Sequence, residues 1–136
     1  CELKVTIDEP MRLGPTPHGE RVIIPITGGT FLGPKMKGTI LAGGADYQYV
    51  GMDGQRTELN AIYTIRTDDG VLIQVQNTGV LHVQEDIGGT PEVYFRAAPK
   101  FEAPTDSIYD WLNNAIFVCK PVGQEGYISI QVWKVM

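Results

Sequence analysis

Alternation of apolar and polar residues with a period of two is the feature that most constrains how this chain can fold. In the run 57–67, apolar side chains share one face and polar side chains share the other. The apolar face is formed by Leu59, Ala61, Tyr63 and Ile65, and the polar face by Glu58, Asn60, Thr64 and Arg66. Successive side chains of a strand point to opposite faces of a sheet, so this run predicts a long, half-buried β-strand.

Similar runs recur along the whole chain, and each ends at Gly, Pro, Asp or Asn, which predicts about nine strands. The predicted strands are Glu2–Asp8, Glu20–Phe31, Lys35–Leu41, Ala45–Val50, Thr57–Thr67, Val71–Gln84, Glu92–Phe101, Asn113–Pro121 and Tyr127–Met136. No stretch has a sustained helical period. Only Asp106–Leu112 is expected to form a short helical turn.

The turn residues indicate antiparallel neighbours that curl into a barrel. Asp53-Gly54 and Asp69-Gly70 each join two strand-like runs, and such pairs supply the positive φ angles of tight hairpins. A long antiparallel meander has to hide its edges by closing into a barrel or by folding into a sandwich. We predict an all-β fold, a single antiparallel barrel of about eight to nine strands that occupies residues 1–136 as one domain.

Composition and charge exclude several classes of protein. The 136-residue chain has a net charge of −5 with 11 scattered basic residues, so we expect no nucleic-acid partner. Its apolar runs are far shorter than the roughly 20 residues that span a bilayer, so no membrane span is predicted. Cys1 and Cys119 form no redox or zinc motif, which favours a reduced, cytoplasmic protein, although Cys1 is also compatible with a lipid-modified N-terminus.

Several blocks of sequence, in a fixed order, resemble a known bacterial and fungal family. The blocks are Gly14-Pro15 to Gly19, Pro25 to Pro34, Gly43-Gly44-Ala45-Asp46-Tyr47-Gln48, Asp53-Gly54, Tyr63 to Gly70, Asn77-Thr78-Gly79, Tyr94-Phe95-Arg96, Phe101-Glu102 and Trp111-Leu112-Asn113. Together they are similar to the domain-of-unknown-function family numbered thirty-two thirty-seven. Two departures are Tyr47, where the family has Trp, and the absence of an Arg just before Tyr63.

This resemblance implies a small barrel similar to calycins and to the barrel of allene oxide cyclase, with an interior cavity. It implies no particular reaction. A barrel of about eight strands has an interior just wide enough for packed side chains or for one small ligand. A cavity of about 300 Å³ or more would favour a ligand, whereas a filled interior would favour a structural or oligomerisation module.

Polar residues near the predicted turns are candidates for a ligand-binding site. Asp46 alternates with Gln48, so both side chains are expected on the face opposite Tyr47 and Tyr49. A buried Asp46 would have a raised pKa and would be the candidate catalytic base. Three further candidates could bind a polar head group, namely Arg66, Asp69 and Arg96, although a hairpin turn is the better explanation of Asp69 and surface positions are the alternative for the two arginines.

Aromatic residues are candidates for the apolar part of the same pocket. Tyr63, Tyr94, Phe101 and Trp111 could line it, with plain core packing as the alternative and the better explanation of Phe101. Asn113 is expected two residues beyond Trp111 on a strand, where its amide could accept the indole N–H.

Other kinds of chemistry have no support in the sequence. His18 and His82 are far apart and in no metal-ligand spacing, so no metal site is predicted. Ser107 and Ser129 lack a nucleophile-elbow sequence, and the Gly-rich turns lack the Lys of a P-loop, so no cofactor is predicted.

Three hypotheses about function follow. The first is a barrel that binds a small, partly apolar organic molecule, and the second is a cofactor-independent isomerase, cyclase or hydrolase-like enzyme of secondary or aromatic metabolism that uses the same cavity. The third is the filled module. Exposed strand edges make a homodimer possible.

Overall fold

The computed structural model describes residues 1–84 and 88–136, which form ten strands and one short 3-10 helix. The strands are β1 (Glu2–Ile7), β2 (Met11–Thr16), β3 (Gly19–Leu32), β4 (Lys37–Ile40), β5 (Gly44–Val50), β6 (Arg56–Thr67), β7 (Leu72–Gln84), β8 (Glu92–Glu102), β9 (Phe117–Gln124) and β10 (Tyr127–Lys134). The 3-10 helix is Asp110–Asn114. None of the helical segments in the described ranges has the length and apolarity needed to cross a bilayer.

The sheet closes on itself as an antiparallel barrel of eight strands, with two further strands that continue the line of others. Neighbouring strands follow one another from β6 to β10, and β1 lies between β10 and β3, so the first strand joins the two ends of the sheet. At this seam Leu3 is paired with both Ile130 and Phe31. β4 and β5 lie end to end along one edge of β3, and β2 continues the line of β1 along its other edge. The predicted barrel is confirmed.

One end of the barrel is filled by its own side chains. Ile65, Ile73 and Val75 have no exposed surface, and Phe101 packs edge-on against Phe117 with ring centroids 5.0 Å apart. Period-2 alternation places all of these side chains on the inner face, where large branched and aromatic residues pack against one another between the strands. At the opposite end the inward positions carry smaller residues, among them Ala61 and Ala97.

Sequence reasoning missed one strand and misplaced the helical turn. β2 lies within a segment rich in Gly and Pro that reads as a loop, but its backbone pairs with β3 in an interrupted register between Arg12 and Gly14. The helical turn begins at Asp110 rather than Asp106, and β9 begins at Phe117 rather than Asn113.

Asn113 therefore does not lie on a strand beside Trp111, because both residues belong to the 3-10 helix. The Asn113 side-chain amide instead binds the backbone of Ala103, the residue after β8. It donates to the Ala103 carbonyl at 3.0 Å and accepts from the Ala103 N–H at 2.8 Å. It also donates to Asp110 at 2.7 Å. The two bonds to Ala103 tie the helix to the end of β8, and the bond to Asp110 lies within the helix, so this amide has a structural role.

Candidate functional site

The open half of the barrel interior holds a cavity of about 130 Å³. Most of its wall is aliphatic, and the polar side chains that reach it are Asp46, Gln48, Tyr63 and Asn77. The volume is smaller than the roughly 300 Å³ typical of drug-sized ligands. It is close to the size of an engineered apolar cavity of about 150 Å³ that binds benzene, so it matches a molecule of about one ring.

Small inward-facing residues leave this space empty. Ala61 and Ala97 line the cavity, and Gly79 lies against Ala97, so that a Cβ atom placed on Gly79 would be only 2.5 Å from the Ala97 Cβ. At the filled end, equivalent inward positions on the same strands carry Ile65, Val75 and Phe101. The change from large to small side chains along β6, β7 and β8 therefore creates the cavity.

Asp46 lies on β5, in register with Ala61 on β6, and its carboxylate faces the cavity. Gln48 donates to Asp46 Oδ2 at 2.8 Å, and the Asn60 backbone N–H donates to Oδ1 at 3.2 Å. Burial raises the pKa of the Asp46 carboxyl above its ordinary value, and these two hydrogen bonds only partly oppose that effect. The predicted separation of faces is confirmed, since Tyr47 and Tyr49 line an outer groove instead.

Tyr63 is a buried aromatic residue that lines the same cavity. Its side chain is 3% exposed, and no hydrogen bond to the hydroxyl is present among the described residues. Every fully enclosed side-chain N or O atom in the described part of the chain has a partner, so this hydroxyl must face the cavity that Tyr63 lines. Burial raises the pKa of Tyr63, with smaller contributions from Cys119 and Asp46, so the phenol is protonated at neutral pH.

Asn77 is a site residue that the sequence reasoning did not single out. It is buried on β7 opposite Ala61, lines the cavity, and its Nδ2 lies 3.4 Å from Cys119 Sγ. Burial raises the pKa of the Cys119 thiol, which keeps it neutral. A signal for Asn77 does exist, because it follows Ile73 and Val75 at a spacing of two and is therefore a lone amide on an apolar face.

Three of the proposed ligand-binding residues lie away from the cavity. Arg66 is exposed and points outward because it follows the inward-facing Ile65. Arg96 is also exposed, donating to the Phe95 carbonyl at 2.8 Å and lying 5.6 Å from the centroid of the exposed Tyr94 ring. No arginine lines the cavity among the residues that the structure describes, so neither Arg66 nor Arg96 shares a site with Asp46.

Asp69 belongs to the hairpin between β6 and β7. Its carboxylate accepts hydrogen bonds from the hydroxyls of Thr67 and Tyr109, the latter at 2.7 Å. Both bonds favour the ionised carboxylate, and they lower the pKa of Asp69. These hydrogen bonds connect the hairpin to Tyr109, the residue before the 3-10 helix. Asp69 therefore has the structural role in a turn that was the alternative to ligand binding.

The remaining aromatic candidates, Phe101 and Trp111, line a different pocket at the filled end of the barrel. The structure thus brings Asp46, Gln48 and Tyr63 together, and separates them from Tyr94, Phe101 and Trp111. No cluster of three His, Cys, Asp or Glu side chains suited to a metal ion occurs within residues 1–84 and 88–136.

Comparison with known proteins places the chain in a family. The model of a family described as a protein of unknown function, DUF3237, matches residues 1–135. The chain belongs to this family. A UPF0311 protein of Clostridium acetobutylicum is 36% identical to this DUF3237 chain over 127 residues, which cover 86% of the chain and 79% of the relative. The resemblance found in the sequence is confirmed.

Solved structures have the same fold as this DUF3237 chain. A β-barrel-like protein from Acinetobacter baumannii is 30% identical with a TM-score of 0.86, and the match covers 98% of the chain and 90% of that protein. A crystal structure described as an enzyme from Penicillium herquei is 23% identical with a TM-score of 0.70, covering 97% and 90%. At that identity the likeness concerns the fold alone.

Proposed function

We propose that this DUF3237 barrel binds a small, mostly apolar organic molecule of about one ring in its interior cavity. The observation that carries the proposal is Tyr63, a 3% exposed residue that lines this apolar space and whose protonated hydroxyl has no protein partner within the described residues. A ligand oxygen that accepts a hydrogen bond from this hydroxyl inside the apolar cavity would stabilise the bound molecule.

The positions of Asp46 and Tyr63 indicate what the ligand carries. Asp46 is directly opposite Ala61, and Tyr63 is the next inward residue along β6. Such diagonal neighbours are roughly 7–8 Å apart at the backbone, so one ring between them can meet both. The Asp46 carboxylate would accept a hydrogen bond from a hydroxyl of the ligand, and Tyr63 would donate one to a ligand oxygen, while the aliphatic wall contacts the ring.

Filling the cavity is expected to abolish this binding. We expect Ala97→Leu to remove binding of 4-fluorophenol, measured by ¹⁹F NMR titration, because the larger side chain would occupy the space of the ring. Ala98→Leu is the matched control, since Ala98 is the exposed neighbour on the same strand. Equal affinities of 4-fluorophenol for the two variants would contradict the interior site.

The Tyr63 hydroxyl is tested in the same titration by Tyr63→Phe. Loss of one neutral hydrogen bond of about 1 kcal/mol should weaken 4-fluorophenol roughly fivefold and leave fluorobenzene, which has no oxygen, unchanged. A similar loss for both probes would mean that Tyr63 only shapes the cavity.

A second candidate function is proton transfer next to a carbonyl group, favoured by the raised pKa of Asp46. In this reaction the Asp46 carboxylate takes a proton from the carbon next to a ring carbonyl, while the Tyr63 hydroxyl donates to the carbonyl oxygen and stabilises the enolate. Return of a proton to a different atom completes an isomerisation, with no net change in charge and no cofactor. Its signature is exchange of the α-protons of cyclohexanone for deuterium.

We further propose that the protein works as a cytoplasmic homodimer. Both cysteines are free thiols, which suits a reducing compartment. One edge of β2 has no strand partner in the described part of the chain, and it carries the exposed Met11 and Leu13. Sedimentation of protein recovered from the cytoplasmic fraction should give a dimer, and Leu13→Lys should give a monomer. A wild-type monomer at high concentration would contradict the proposal.

A further inference from the structure

The filled end of the barrel has an apolar pocket of about 170 Å³ that the central cavity does not share. Trp111, Phe101 and Phe117 form its aromatic wall, and Met36 and Val132 its aliphatic wall. The Trp111 and Phe117 ring centroids are 6.1 Å apart and the two ring planes are tilted by 57° to each other. Ile65, Ile73 and Val75 form a fully buried layer at this end of the interior. None of the three lines the central cavity.

Two lysines lie at the rim of this pocket. Lys35 Nζ lies 5.0 Å and Lys134 Nζ 5.9 Å from the centroid of the Trp111 ring. They are the charged side chains in the pocket lining, and neither forms a salt bridge within residues 1–84 and 88–136, where the ion pairs are Lys37–Asp68 and Arg56–Glu58. Two like charges held near one ring attract an anion.

We propose that this pocket is a second binding site, for a small aromatic carboxylate. The ring of such a ligand would pack against Trp111 and the two phenylalanines, and its carboxylate would lie between the ammonium groups of Lys35 and Lys134. Apolar walls with a few convergent polar groups are typical of ligand sites. The volume again matches about one ring, and the positive rim selects the anion over a neutral molecule of the same shape.

The matched probes are 4-fluorobenzoate and 4-fluorobenzyl alcohol, followed by ¹⁹F NMR titration of the whole chain. We expect 4-fluorobenzoate to bind more tightly, and its affinity to fall with added salt because exposed charges are screened. Replacing both lysines in a Lys35→Met and Lys134→Met double variant should weaken 4-fluorobenzoate about tenfold or more, while the alcohol changes little. Lys100→Met, an exposed lysine on β8, is the control and should change neither.

Variants that change one site at a time distinguish binding in the central cavity from binding in the second pocket. Ala97→Leu should leave 4-fluorobenzoate binding unchanged, whereas Trp111→Ala should weaken it; thermal unfolding of each variant shows that the fold is kept. The proposal is overturned if 4-fluorobenzoate does not bind at millimolar concentration, if the double lysine variant binds it as the wild type does, or if Ala97→Leu abolishes its binding. The last outcome would place the carboxylate in the central cavity and leave the proposed function intact.

Discussion

Replacing Gly29 with alanine is expected to cost about 3–5 kcal/mol of unfolding free energy, measured by urea denaturation, because it damages the seam that closes the barrel. Gly29 has a φ angle of +139° and is paired with Val5 on β1. A Cβ atom at this position would overlap the Lys4 carbonyl oxygen, which is backbone and cannot turn aside. The expected loss is a large part of the roughly 5–15 kcal/mol that stabilises a typical domain.

Gly43→Ala is the matched control for this experiment. Gly43 also has a positive φ angle, +105°, but a Cβ atom there would meet nothing within 4 Å. We expect it to cost about 1–2 kcal/mol, which is the backbone strain alone. The additional loss of unfolding free energy in Gly29→Ala, compared with Gly43→Ala, measures the effect of the close approach of β1 to β3. Equal losses for the two variants would show that the seam is not as tightly closed as described.

Replacing Asp46 with asparagine is expected to slow deuterium exchange of the α-protons of cyclohexanone by about 100-fold or more, if the barrel catalyses proton transfer. Asparagine has nearly the same shape and can still accept the Asn60 N–H, but it cannot take a proton. Exchange is measured by ¹H NMR in D₂O. Asp8→Asn, an exposed carboxylate outside the cavity, should leave the rate unchanged.

The pH dependence of this exchange follows from the burial of Asp46. Its base form accumulates as the pH rises through a pKa that burial places above the ordinary value of 3.8. The wild-type rate should therefore increase with pH, with a midpoint above that value, and the residual rate of Asp46→Asn should lack this step. An Asp46→Asn variant that exchanges as fast as the wild type would rule out the catalytic role and leave ligand binding as the function.

Local sequence patterns predict most of the barrel, because its strands are long and their alternation is clear. The spacing of two along β6 assigned Leu59, Ala61, Tyr63 and Ile65 to the inside, and all four are inward-facing in the structure. The same reasoning placed Asp46 and Gln48 opposite Tyr47 and Tyr49. This parity is a property of the extended backbone, so it can be read without knowing the partners of a strand.

The remaining features depend on partners that are distant in sequence. Within the described residues β2 pairs with β3 alone, and its sequence, which contains Gly14-Pro15, alternates too weakly to predict a strand. The first part of β8 has no clear alternation of apolar and polar residues, so the sequence does not assign Tyr94 and Arg96 to a face. Their outward orientation follows from the pairing of the inward-facing Ala97 with Gly79 on β7. The position of the cavity likewise depends on Ala61, Gly79 and Ala97 meeting across three strands.

The interior binding site is tested most directly by intermolecular NOEs between the ring protons of bound 4-fluorophenol and the alanine methyl groups of the protein. We expect NOEs to Ala61 and Ala97, the two alanines that line the cavity. NOEs to the exposed Ala98 instead, or none to Ala61 and Ala97 at saturating 4-fluorophenol, would contradict this expectation.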